Sequence, residues 1–83
     1  MASYAIDLQR LAEREFRSIP NPAVAYRIMV AMQEIAEDPR RGEQNPELGA
    51  SFVYKVREYE LAYFVDEELK IIHIASIFKG AKT

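Results

Sequence analysis

The chain has no cysteine and a single histidine in 83 residues. Disulfides and cysteine-based zinc sites are therefore excluded, and one imidazole cannot build a histidine-rich metal site. No segment resembles a signal peptide or a membrane span, because charges interrupt the longest apolar runs. An excess of positive charge is lacking too: 11 Lys and Arg stand against 13 Asp and Glu, for a net charge of −2. A free-standing nucleic-acid binder is usually basic, so this balance counts against extensive phosphate contact while leaving room for a local basic patch. No repeat or low-complexity tract is visible. Together these absences predict one cytoplasmic domain spanning residues 1–83, with no metal, no cofactor and no membrane contact.

What is present is a hydrophobic fraction of 49% and a charged fraction of 29%, ordinary for a folded domain. A core this small is marginal, and a partner would supplement it. The stretch from Phe52 to Phe78 organises the rest. β-branched and aromatic residues dominate it, with polar breaks at Arg57-Glu58 and Asp66-Glu67-Glu68. That pattern predicts a three-stranded antiparallel meander. A two-residue loop at Arg57-Glu58 sets Val56 against Tyr59, Lys55 against Glu60, Tyr54 against Leu61 and Phe52 against Tyr63. Opposed residues share a face, so Phe52, Tyr54, Val56, Tyr59, Leu61, Tyr63 and Val65 form a core face. A tight turn at Glu67-Glu68 would then set Ile72 against Tyr63 and Ile74 against Leu61, with Ser76 and Phe78 continuing the core face. Ile71, His73, Ala75, Ile77 and Lys79 fall on the second face. That face gathers Lys55, Glu60, His73 and Lys79, with Arg57 at its rim.

Ahead of the meander, Tyr4, Ile6 and Leu8 alternate, which suits a first strand over Ser3 to Leu8. A rival reading runs one helix from Ile6 through Leu8, Leu11, Ala12 and Phe16. The favoured reading is a short strand followed by a helix from about Gln9 to Ser18, whose interior is made of good helix formers. Pro20 ends it. Asn21 then reads as an N-cap with Pro22 at the first helical position. The second helix runs from Pro22 to about Glu37, with an apolar stripe of Val24, Ile28, Ala31, Met32 and Ile35, and Asp38-Pro39 stops it. Arg40 to Ala50 reads as a polar loop. The fold class is α+β: a helical hairpin packed on one face of a small antiparallel-dominated sheet, in the order β-α-α-β-β-β.

Three stretches in this order resemble the RelE/ParE superfamily, the toxins of type II toxin–antitoxin modules. The first is Tyr4-Ala5-Ile6-Asp7-Leu8 leading to a helix that ends at Ile19-Pro20. The second is Ile35 to Gly42 with Pro46-Glu47-Leu48-Gly49 after it. The third is Tyr54 to Tyr63 followed by Ile77 to Lys82, whose Phe78-Lys79-Gly80-Ala81-Lys82 is similar to a ParE-like Leu-His-Gly-Ala-Arg ending. The resemblance implies the β-α-α-β-β-β fold, a cognate antitoxin as partner and a role in bacterial growth inhibition and plasmid stabilisation. ParE-like members inhibit DNA gyrase and are not nucleases, whereas RelE-like members cut messenger RNA on the ribosome.

RNA cleavage needs a base for the 2′-hydroxyl, cations for the phosphorane and an acid for the leaving oxygen. By the RelE-like pattern, Lys55 would serve as base or phosphate clamp, with Arg57 and Lys79 as clamps. The chain departs from that pattern. Glu60 stands where a RelE-like Arg is expected and would pair with Lys55, no Tyr follows Lys79, and Lys79 itself replaces the ParE-like His. The expectation is therefore a ParE-like toxin acting by binding, with gyrase as target. The alternatives are a RelE-like ribonuclease and an inactive member that only binds antitoxin. Target or antitoxin contacts are expected at Arg40, Arg41, Lys55, Glu60, His73, Lys79 and Lys82. The plainer readings are a surface cross-strand ion pair for Lys55 and Glu60, a hydrogen bond on the sheet for His73, and a solvated rim for the loop arginines. A homodimer would also cover the open-face residues Val53, Ala62, Phe64, Ile71 and Ile77.

Overall fold

In the computed structural model, residues 3–44 and 51–80 are described. Strand β1 spans Ala5–Leu8, helix α1 Arg10–Arg17 and helix α2 Pro22–Glu37. A 3-10 turn at Pro39–Arg41 follows, then strands β2 (Glu43–Gln44), β3 (Ser51–Val56), β4 (Tyr59–Asp66) and β5 (Ile71–Lys79). The sheet order is β1-β5-β4-β3-β2. Strand β1 runs parallel to β5, and the other pairings are antiparallel. The strand-first reading of the N-terminal segment holds, as does the helical hairpin.

Helix α2 starts where its cap chemistry puts it. The Asn21 side chain accepts from the Ala23 N–H at 2.9 Å, and Pro22, which has no N–H to satisfy, opens the helix. Asp38 closes α2 and its side chain accepts from the Arg40 N–H, starting the 3-10 turn. The expected loop from Arg40 onward is thus partly structured: β2 pairs Glu43 with Val53 and Gln44 with Phe52. Two residues are too few to leave a period-two signal in the sequence.

The β3–β4 hairpin has the expected register, including Lys55 opposite Glu60 and Phe52 opposite Tyr63. The last two rings stack with centroids 5.4 Å apart. The β4–β5 register differs from the expectation in two ways. Asp66 pairs with Ile71, so the turn is the four residues Glu67 to Lys70 rather than Glu67-Glu68. Ile72 therefore faces Val65, and Ile74 faces Tyr63. A bulge beside Ala62 and Tyr63 then places Ile77, not Ile74, opposite Leu61. Ile77 is buried in the core and Phe78 is exposed, the reverse of the expected assignment. Lys79 stands opposite the buried Tyr59, so it leaves the open face.

The bulge is held from α1. One Glu15 carboxylate oxygen accepts from the Ile77 N–H at 2.8 Å and from the Ser76 hydroxyl at 3.0 Å. A bulge leaves ladder donors without a strand partner, and Glu15 supplies the acceptor. The core lies between the helices and one sheet face, where Ala12, Ile28, Ala31 and Ile35 meet Leu61, Tyr63, Ile72, Ile74 and Ile77. The Tyr63 hydroxyl donates to the Pro39 carbonyl at 2.7 Å and accepts from the Gly42 N–H at 3.1 Å, tying the 3-10 turn to the sheet. Burial raises the Tyr63 phenol above its ordinary pKa, against the opposing pull of the Gly42 N–H.

Candidate functional site

The helices cover one sheet face, and the strand period assigns the other a mixed set of side chains. Asp7 lies on β1, His73 on β5, Glu60, Phe64 and Asp66 on β4, Lys55 on β3 and Glu43 on β2. Four carboxylates thus share this face with one lysine and one histidine. Their summed field opposes an incoming phosphate.

The hairpin end of the sheet assembles the expected cations, each in a different setting. Lys55 is exposed opposite Glu60, yet no ion pair joins them among the described residues. The Glu60 carboxylate instead lies over Gly80, where a Cβ would collide with Oε2. Phe78, not Lys79, is the β5 neighbour of Glu60. Lys79 Nζ lies 3.5 Å from Glu58, whose carbonyl accepts from the Gly80 N–H at 2.8 Å. Arg57 sits at the hairpin tip with a φ of 57°.

The loop arginines stand apart from that group, on the 3-10 turn beside α2. Arg41 Nε donates to the Tyr54 hydroxyl at 3.3 Å, and this hydroxyl donates to Glu34 at 2.8 Å. The Tyr54 hydrogen bond, then the Tyr54 and Glu34 charges, raise the Arg41 pKa further, so it stays a cation. Arg40 is exposed. Lys82 lies outside the described residues.

At the opposite end of the face, His73 meets two neighbours. Its Nδ1 lies 2.7 Å from Asp7 Oδ2, and its ring stacks on Phe64 with centroids 5.0 Å apart. Asp66, Glu67 and Glu68 line a shallow pocket together with His73 and Phe64. The sequence reading missed Asp7 as the histidine's partner. The signal was there in part, since Asp7 alternates out of phase with Ile6 and Leu8, but only the parallel β1–β5 pairing sets it beside His73. Among the described residues, no group of three or more His, Asp and Glu is placed to hold a metal. No helix among them is long and apolar enough to cross a membrane.

Solved structures share this fold. The intact RelBE toxin–antitoxin complex of E. coli matches with a TM-score of 0.84 and 23% identity, over 96% of this chain and 100% of that one. The RelBE2 toxin–antitoxin complex of Mycobacterium tuberculosis gives 0.81 and 22%, over 94% and 99%. The archaeal RelE–RelB complex of Pyrococcus horikoshii gives 0.71 and 18%, over 98% and 99%. At such identities the likeness shows the fold alone. A comparison with curated protein sequences found no match. The family model described as the ParE toxin of type II toxin–antitoxin system, parDE, matches residues 6–83, nearly the whole chain. The chain therefore belongs to the ParE toxin family of type II toxin–antitoxin systems, within the RelE/ParE superfamily.

Proposed function

We propose that this chain is a toxin that inhibits growth by binding its target in the ParE manner, with DNA gyrase as that target. The observation that carries this reading is Glu60. It puts a carboxylate beside Lys55, where phosphorane chemistry needs a second cation, and it packs against Gly80 rather than swinging clear. Lys79 is drawn toward Glu58 in the same corner. A cognate antitoxin is the partner that neutralises the chain, a reading supported by family membership and by the complexes in which RelE-fold toxins are found with RelB. The chain acts as one domain in the cytoplasm, where gyrase and ribosomes are.

A second reading, a RelE-like ribosome-dependent ribonuclease, is supported by the gathering of Lys55, Arg57 and Lys79 at one end of the sheet.

The test is sudden induction of the chain in bacteria with separate pulse labelling of protein and DNA synthesis. The proposal expects DNA synthesis to fail first, with strand breakage. Early collapse of protein synthesis would support the ribosome reading instead. Unchanged growth and unchanged rates would indicate a member that only binds antitoxin.

A further inference from the structure

The open sheet face carries apolar side chains that no described element covers. Phe64 and Phe78 are each 38% exposed, and the register sets Val53, Ala62 and Ile71 on the same face. The free charge on this face is sorted by ends. At the hairpin end, Glu60 is folded over Gly80 and Lys79 has left this face to meet Glu58, so Lys55 and Arg57 are the exposed cations there, while the exposed Glu43 stands nearer the middle of the face, opposite Val53. At the other end, Asp7 Oδ2 is hydrogen-bonded to His73 Nδ1 at 2.7 Å, and Lys70 Nζ lies over the Tyr4 ring at 5.2 Å. Asp66 accepts from the Leu69 N–H and Glu67 from the Tyr4 hydroxyl, beside the exposed Glu68, so this end gathers three acidic side chains.

Such a face is complementary to itself in one orientation. A two-fold axis lying in the face and perpendicular to the strands lays the hairpin end of one copy over the turn end of the other. An axis along the strands would instead set like charge on like. We propose that the open face is a homodimer interface, with Arg57 of each copy meeting Glu68 of the other and Phe64 at its apolar centre. This goes beyond the proposed mode of action and does not depend on which target is inhibited.

The size of the face fixes how strong the dimer should be. At about 3.3 Å per residue and about 4.8 Å between strands, the face projects roughly 450 Å² per copy. Standard interfaces bury about 800 Å² per partner, so a weak, reversible dimer is expected.

Sedimentation equilibrium of the purified full chain, from roughly 1 to 300 µM to match a weak interface, tests this. A monomer–dimer equilibrium that weakens with added salt is expected. Phe64→Lys should abolish it. Arg57→Glu and Glu68→Arg should each weaken it about tenfold or more through like-charge contact, and the double reversal should restore it. All three positions are on the surface, and circular dichroism of each variant confirms folding. Three results would overturn the proposal. One is a monomer throughout, which leaves the face to another occupant such as an antitoxin segment. Another is a dimer untouched by these variants, which would use another surface. The third is a double reversal no better than either single change.

Discussion

Glu60 and Gly80 share one space: the carboxylate of the first lies where a side chain on the second would stand. The obstacle is the far end of a flexible side chain rather than backbone, so Gly80→Ala should be tolerated. We expect a loss of about 0.5–1 kcal/mol from that substitution. In the Glu60→Ala background the same change should cost less, giving a coupling of about 0.5 kcal/mol or more. Urea denaturation of the four proteins measures the cycle. Strict additivity would mean that the carboxylate does not rest on residue 80 in solution.

The same carboxylate separates the two readings of function. Glu60→Arg places a cation beside Lys55 and removes the anion that repels phosphate. On the binding reading, neither the wild-type chain nor Glu60→Arg cuts messenger RNA on purified ribosomes. Cleavage that appears in the variant would reveal a nuclease site that Glu60 alone holds silent. Cleavage by the wild-type chain would refute the binding reading outright.

Glu15 sets which face the end of β5 presents. Glu15→Ala leaves the Ile77 N–H without its acceptor, and about 1–3 kcal/mol of stability should be lost. Glu15→Gln keeps a carbonyl oxygen at the same place and should cost less than half as much. Thermal melts of both variants decide this. Equal losses would mean that the charge matters and the hydrogen bond does not.

That contact also explains where the sequence reading stopped working. The β3–β4 register was legible because side-chain parity and a two-residue loop are both local. The longer turn at residues 67–70 displaced the expected β4–β5 pairing by two residues, and a shift of two preserves parity. Ile72 and Ile74 therefore stay in the core, with partners two residues away from the expected ones. The bulge adds one residue, which reverses parity and exchanges the roles of Ile77 and Phe78. Its stabilising carboxylate lies 62 residues away from Ile77, so no local pattern announces it. For the same reason the cations Lys55, Arg57 and Lys79 were recognised, but the face that holds Lys79 was not.

Tyr63 should give the chain a distinct response to alkali. Its phenol is raised above the ordinary value near 10 because burial disfavours the phenolate. The unfolded chain therefore releases this proton at lower pH than the folded one. The resulting stabilisation is complete below the unfolded pKa and is lost as pH rises through the folded pKa. Tyr63→Phe removes the two hydroxyl hydrogen bonds to Pro39 and Gly42 and should cost about 1–3 kcal/mol near neutral pH. It also removes the titration. The stability gap between wild type and variant should narrow above about pH 10. A gap that stays constant from neutral pH to strong alkali would rule out a buried phenol as the cause.

Arg57 holds a positive φ of 57° without being glycine, asparagine or aspartate, and Lys70 does the same at 58°. A left-handed conformation costs an ordinary L-residue roughly 1–2 kcal/mol. Strain of this kind persists where the surrounding structure imposes it and often where a side chain is used. Asparagine tolerates the conformation better, so Arg57→Asn should stabilise the hairpin by about 0.5–1 kcal/mol, a fraction of the penalty arginine bears. For a domain of this size that is roughly 2–8 °C in Tm. Arg57→Val, β-branched and poorly suited to positive φ, should move Tm the other way. The melts belong at concentrations well below any dimerisation, where Arg57 has no second copy to meet and only its own backbone is read. If Arg57→Asn melts at or below the wild-type temperature under those conditions, the hairpin does not carry this strain in solution. If it melts higher, the chain keeps a cation at the tip of β3–β4 at a cost in stability, and a contact made by that side chain is the physical reason to look for.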